Sequence, residues 1–591
     1  MREISDQARV ALAFALALLV MVGWYFLNPP KPQPPPGTAA AQHAPAAPSS
    51  AAAPIAQPNQ PVVASSTGAT SAAPASASGE KNVVIESDLY RVELSNRGAV
   101  VRSWQLKKYT DEGNPPRTLD LVNADLARQT DGWPLSLQLA DPQLASAANQ
   151  ALYVVKASSD RGAENTDRTI TAPAQIEFHW SDGRLGVTKT LKFDRSYIIG
   201  LETSVRQNGS PASYSVAWRG GFGDVTAFRA ALQTLVFDGR AGSVSTITTK
   251  NIGAPNQRNI PAEVPGTFDA VGIEDLYFAA AFLPPEPPPG QAVPDDLTLS
   301  ARQTTHTIQS DGKTQQEILP EMAVGSTTPG PLVLRLYVGP KDIDLLKSVR
   351  PPLNGLVQFG WFGFVAEPLF YSLRWIYHYI PNYGWAIVLM TIAINMLLYP
   401  LKVKSWRSMQ KMQKVAPEIR SIQDRYKKYS MRDPRKQEMN KEVMAVYSRE
   451  GVNPMGSCLP QVIQMPIWFG LYRMLNVTIE LRHAPWFGWF HDLSGRDPYF
   501  ILTITMALLM YAAQKMTPMT VTDPAQQRMM TLMPIMFTGM FFIIPVSSGL
   551  ILYIVTQNIM AVIQQWHLNR SAPLKAPVRS KKQMARAALT K

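Results

Sequence analysis

From Met529 to Asn569 the chain runs for 41 residues without a Lys, Arg, Asp or Glu. One transmembrane helix needs about 20 apolar residues, so this stretch is long enough for two. The Pro545–Gly549 break (PVSSG) divides it into a hairpin. The same test finds Val10–Leu27, preceded by Arg2 and Arg9, a segment ending at Leu401, one over 459–481 that contains Arg473, and one over 498–515. Val10–Leu27 reads as an uncleaved signal anchor over residues 1–28, because its apolar core is long and no small-residue cleavage site follows closely; a cleaved signal peptide is the alternative.

Charge orients these segments. The basic excess, 57 Lys+Arg against 44 Asp+Glu, is concentrated. Residues 402–458 hold 14 Lys/Arg and 6 Asp/Glu, and the chain from 567 onward holds 7 and none. Threading six spans (1–28, 381–401, 459–481, 498–515, 529–545 and 549–568) from a cytoplasmic N-terminus puts 402–458, 516–528 and the tail 569–591 inside. It puts residues 28 to about 380 and 482–497 outside. Basic clusters beside apolar spans suit anionic phospholipids, and no particular nucleic-acid sequence is expected as a partner. The single cysteine, Cys458, excludes an internal disulfide framework.

Residues 29–80 contain 12 prolines, 16 alanines and only two charges, which predicts a disordered tether. From 81 to 349 the pattern has period two. YRVELSNRGAVVRSWQLKKY and QIEFHWSDGRLGVTKTLKF each read as two strands joined by a turn, and the whole as a large β-sandwich. No H-E-x-x-H or G-x-S-x-G occurs there, and His179 and His306 stand alone. Residues 350–380 predict an amphipathic helix in the outer interface, with Leu369, Phe370, Leu373, Ile376, Tyr377 and Ile380 on its apolar side. Residues 402–458 predict two antiparallel helices of roughly 25 and 17 residues, the second opening at Pro434. Met409, Met412, Met431, Met439 and Met444 supply an adaptable surface there, for a substrate or for mutual packing.

The span ending at Leu401 carries Thr391 and Asn395, four residues apart and so on one helix face. With Gln461, Gln464 and Tyr472 on the next span, they are candidates to line a hydrated groove; Thr503, Thr556 and Asn558 are candidates of lower rank. For any one of them an interhelical hydrogen bond is the competing role.

YPLKVKSWRSMQKM, GVNPMGSCLPQVIQMPIWFGLYRML, DPYFILTITM, TDPAQQRMMTLMP and SSGLILYIVTQN, over about residues 360–568, resemble the YidC/Oxa/Alb family of membrane protein insertases. The anchor and large β domain resemble its long Gram-negative form, a multi-pass inner-membrane protein with a periplasmic β domain. The resemblance implies a polytopic α-helical protein whose five-helix core holds a hydrophilic groove open to cytoplasm and lipid. Nascent membrane proteins would be its substrates, the Sec translocon a partner, and ribosomes partners through the basic tail. It implies insertion and assembly of membrane proteins without enzymatic turnover or cofactor, and no G-x-x-x-x-G-K-[ST] nucleotide loop occurs. Family members carry an arginine four residues before the tyrosine of Tyr399-Pro400-Leu401, where this chain has Asn395. Arg473 is a candidate replacement, about 20 Å into its span. It faces either the groove or, by snorkelling, the outer headgroups. Two other classes stay open: a transporter or channel, and a structural assembly factor for Sec.

Overall fold

The computed structural model describes residues 73–571, apart from 114, 159–168, 225, 227–232, 239–242, 249–262, 266–269, 287–296, 311–312, 430–432, 452–458, 518–531, 534–535 and 543–545. The expected anchor, most of the tether, Met431 and the basic tail beyond Ser571 lie outside the described residues, as do 529–531, 534–535 and 543–545 of the expected fifth span. The chain divides into two units, Met1–Leu356 and Val357–Lys591.

The first unit is β-rich, and the strands expected from alternation are in place. Tyr90–Ser95 pairs antiparallel with Val100–Thr110, and Ala174–Ser181 with Leu185–Phe193. Along Leu185–Phe193 every second side chain is buried, because a pleated strand sends alternate residues to the core. Among the described residues three sheets result: two of five strands and one of ten. Val271, Phe282 and Leu334 of the large sheet line one apolar crevice with Thr298 and Val324 of a five-stranded sheet, so the two meet face to face. His179 is a strand residue whose Nδ1 lies 3.0 Å from Thr188 Oγ1, and His306 sits in the strand Leu297–Ser310.

Two features depart from the sequence reading. Residues 73–80 are not tether: Ala75 and Ser181 exchange backbone bonds of 2.9 Å, and the Glu80 carboxylate accepts from Arg97 Nε at 2.8 Å. That hydrogen bond holds Glu80 below the usual carboxylate range. Helices at Ala124–Thr130, Pro142–Gln150 and Ile343–Ser348 interrupt the strands. Each opens on a side-chain cap, from Asn123, Asp141 and Asp342 respectively.

Among the described residues the second unit has helices α1 (Gly363–Tyr379), α2 (Tyr383–Leu397), α3 (Tyr399–Arg425), α4 (Arg435–Arg449), α5 (Leu459–Val477), α6 (Ile501–Met516) and α7 (Ser548–Ser571). A further helical stretch covers 536–542. α1 starts before Leu369 and buries Ala366, Phe370 and Leu373, while Ile380 is exposed. Its other side presents Phe364, Tyr371, Trp375 and Tyr379 outward, so it is aromatic on the exposed side as well. α3 and α4 have 27 and 15 residues and a core of their own, Val415, Ile419, Ile422 and Val446.

The expected span 381–401 is not one straight helix. α2 stops at Leu397 and α3 continues at a bend of 54°. Pro400 sits in the first turn of α3, where its missing N–H costs nothing; inside a continuous helix its ring would clash with the preceding turn. No single described helix is both long and apolar enough to cross a membrane, although α2 and α3 together pass that test. α2 alone, at 15 residues, reaches about 22 Å. α7 is long enough at 24 residues, but Gln557, Asn558, Gln564, Gln565 and His567 dilute its apolar content.

Candidate polar site in the helical unit

α7 is the central helix of the site, buried throughout from Ser548 to Thr556. α2 lies along it and sends Thr391 and Asn395 into the shared interface, where they are 0% and 1% exposed. Both polar groups are satisfied there. Thr391 Oγ1 donates to the Ile387 carbonyl at 2.6 Å and Asn395 Nδ2 to the Thr391 carbonyl at 2.8 Å. Buried polar atoms need such partners.

The outward-facing oxygen of Asn395 is held from another helix. Lys402 Nζ, on the first turn of α3, donates to Asn395 Oδ1 at 2.6 Å and to Gln564 Oε1 of α7 at 3.2 Å. Gln564 Nε2 returns a bond to the Asn395 carbonyl at 3.3 Å. Beside it Tyr399 Oη and His567 Nδ1 are 3.0 Å apart. Eleven residues earlier on the same face of α7, Gln464 Nε2 of α5 donates to Tyr553 Oη at 3.1 Å, with both residues buried. A polar seam therefore runs between α2, α3, α5 and α7. Met396 and Leu397 lie next to it, 64% and 78% exposed, as an apolar ledge.

At the opposite end of the bundle a loop is hydrogen-bonded to the helix starts. The loop over 478–500 folds across the starts of α2, α6 and α7. Asn382 Nδ2 donates to the Trp486 carbonyl, Ser548 N to the Gly495 carbonyl at 2.7 Å, and Gly549 N to the Leu493 carbonyl at 2.8 Å. Buried Asp497 accepts from the N–H of Leu502 at 2.8 Å and fixes where α6 begins. Gly384 and Gly549 are glycines because the loop approaches them closely; a Cβ at Gly384 would lie 2.1 Å from Trp486 Cδ1.

The other residues singled out from sequence fall elsewhere. Arg473 does not join Asn395: its Nη2 donates to the Gln358 carbonyl at 2.9 Å, in the turn before α1. Tyr472 stacks on Trp468 at 6.1 Å. Thr503 is buried, and Thr556 bonds the Leu552 carbonyl of its own helix. Asn558 Nδ2 is buried with no hydrogen-bond partner among the described residues. The side chain of Gln461 lies outside the described residues. Met409 and Met412 are half-buried, Met439 packs on the α3–α4 core, and Met444 is 53% exposed. Sequence reasoning missed Lys402 and Gln564. Lys402 stands seven residues after Asn395, two helical turns on, and that spacing was the available signal.

The family described as "60Kd inner membrane protein" matches residues 375–575, and "YidC periplasmic domain" matches 82–372. Membrane protein insertase YidC of Geobacter sp. (strain M21) is 32% identical over 507 residues, covering 83% of this chain and 86% of its own. Membrane protein insertase YidC of Ralstonia nicotianae (strain ATCC BAA-1114 / GMI1000) is 32% identical over 544 residues, covering 88% of each. A solved structure, "Active YidC insertase crystal structure with the first transmembrane domain resolved", aligns with a TM-score of 0.32 and 17% identity, over 82% of this chain and 92% of that chain.

Proposed function

The chain belongs to the YidC family of membrane protein insertases, inner-membrane proteins with a periplasmic domain, and on that premise we propose how its helical unit inserts a substrate. The protein inserts and helps assemble integral membrane proteins, alone or with the Sec translocon, without hydrolysing nucleotide. Six spans cross the bilayer with both termini in the cytoplasm, and the α3–α4 hairpin and basic tail meet ribosomes and anionic lipid on that side.

The observation that carries this reading is the asymmetry of the bundle: a hydrogen-bonded loop over one end, and a polar seam with an apolar ledge toward the other. A substrate helix gains about 0.3–0.6 kcal/mol for each central Leu, Ile, Phe or Val that enters lipid. The hydrophilic segment that must cross opposes this, at several kcal/mol, roughly, for each backbone group left unsatisfied in hydrocarbon. Seam groups such as Asn395, Gln464 and Gln564 exchange hydrogen bonds with that segment part of the way, while its apolar part moves along Met396 and Leu397. A channel would need passage at both ends, which the 478–500 loop obstructs.

The test is reconstitution of the pure protein in lipid vesicles with a small single-span substrate. Protease protection of the translocated tail supports the reading. Absence of insertion by folded protein, or solute flux through the vesicles, would overturn it.

A further inference from the structure

We propose that the adjoining ends of α6 and α7 form a binding site for an anionic phospholipid of the cytoplasmic leaflet, with Lys515 and Arg570 taking the headgroup phosphate. The inference rests on α6 and α7 being membrane helices, and the site lies apart from the polar seam.

The two helices carry the same four-residue pattern. On α6, Ile504, Leu508, Tyr511 and Lys515 follow at spacings of four, three and four, which keeps them on one helix face. On α7, Ile559, Ile563, Trp566 and Arg570 repeat those spacings. Each stripe passes from two exposed aliphatic side chains to a ring and then to an exposed cation. The Lys515 ammonium lies 5.0 Å from the Tyr511 ring centre, and the Arg570 guanidinium carbon 3.9 Å from that of Trp566.

One hydrogen bond sets the two ends side by side. Asn569 Nδ2 donates to the Met516 carbonyl at 3.2 Å, and Arg570 and Lys515 are the chain neighbours of those two residues. Gln565 Nε2 steadies Asn569 from one turn back, at 3.0 Å. Neither helix contains an Asp or Glu. Bare helix C-termini repel anions, so the attraction of this end comes from the two side chains.

The order of groups along each stripe matches the order of a lipid. Exposed aliphatic residues lie against acyl chains, rings sit at headgroup level, and cations beyond them meet phosphate. A guanidinium fork takes phosphate oxygens in pairs, and the ammonium adds a movable point charge. A zwitterionic headgroup brings its own cation to its phosphate, so an anionic lipid gains more.

The experiment places the full-length protein in phosphatidylethanolamine vesicles with a trace of photoactivatable phosphatidylglycerol or phosphatidylcholine. Labelled peptides are mapped over 504–515 and 559–570. Phosphatidylglycerol is expected to label them about 30-fold over phosphatidylcholine, at about fivefold for each basic side chain near the interface. Lys515→Gln/Arg570→Gln should bring that ratio close to one, and Lys515→Arg/Arg570→Lys should keep it. A ratio near one in the unaltered protein, or one unmoved by the double Gln variant, would overturn the proposal. So would displacement of the phosphatidylglycerol label by inorganic phosphate, which would mark a free-anion site. Absence of labelling by either lipid along both stripes would strike the membrane reading of α6 and α7, and the proposal with it.

Discussion

The Trp486 ring lies over Gly384 so closely that a Cβ at that position would fall 2.1 Å from Cδ1. The contact, with the bond from Asn382 Nδ2 to the Trp486 carbonyl at 3.1 Å, fastens the 478–500 loop over the start of α2. Gly384→Ala therefore must displace the ring or the helix. The expected cost is about 1–3 kcal/mol, the usual range for overpacking, read as a lower thermal midpoint in detergent. Vesicles carrying the variant should also leak small solutes if the loop is the outer closure. An unchanged midpoint would show that the loop does not grip this helix.

In the β-rich unit, Lys189 is fully buried and donates to the carbonyls of Gly98, Ala99 and Leu135 at 2.8, 3.0 and 2.7 Å. All three residues whose carbonyl oxygens accept from it have positive φ. Burial pushes the amine down to about 7. Unfolded, it titrates near ~10.4. Between these values the unfolded chain binds more protons, so this group's contribution to stability rises as pH climbs from about 7 toward about 10. Below about 7 the burial penalty is present in full. Thermal midpoints followed by tryptophan fluorescence should show that slope, and Lys189→Met should remove it. Parallel pH profiles for the two proteins would contradict the assignment.

Arg473 holds the turn before α1 through Gln358, and its Nε lies 3.4 Å from where a Cβ on Gly360 would stand. Arg473→Gln should raise hydrogen exchange at 357–363 and lower insertion of acidic-tail and neutral-tail substrates alike. A selective effect on the acidic tail would instead favour the groove-facing placement of Arg473.

The α3–α4 hairpin separates packing from surface. Ile419→Ala removes a core side chain, at a cost of about 2–5 kcal/mol, and should speed exchange along both helices. Met444 is exposed, so Met444→Ser should leave exchange unchanged. If the hairpin receives emerging apolar segments, the same change should reduce crosslinking to a nascent chain. Unaltered crosslinking would leave the methionines with packing alone.

Much of the architecture was legible from sequence for local reasons. Alternation in Leu185–Phe193 reports a half-buried strand because side chains leave a pleat on alternating sides. The hairpin of α3 and α4 was legible because helical composition and Pro434 act within a few residues. Thr391 and Asn395 were correctly placed on one face by their spacing, but their burial against α7 was not. The tether was drawn too long at its end, since Ala75 is ordered by Ser181, a strand residue more than a hundred positions away.

Residue order alone carries the division into a β-rich and a helical unit, the family, and the polarity of single helix faces. These follow from periodicity and burial, which sum over neighbouring residues. Long-range packing sets the rest: Lys402 reaches Asn395 and Gln564, Arg473 turns away to Gln358, and one loop covers the starts of three helices. Lys402 and Gln564 stand 162 positions apart, so the path of the bent α2–α3 pair along α7 brings their atoms into hydrogen-bond range. No local pattern encodes that distance.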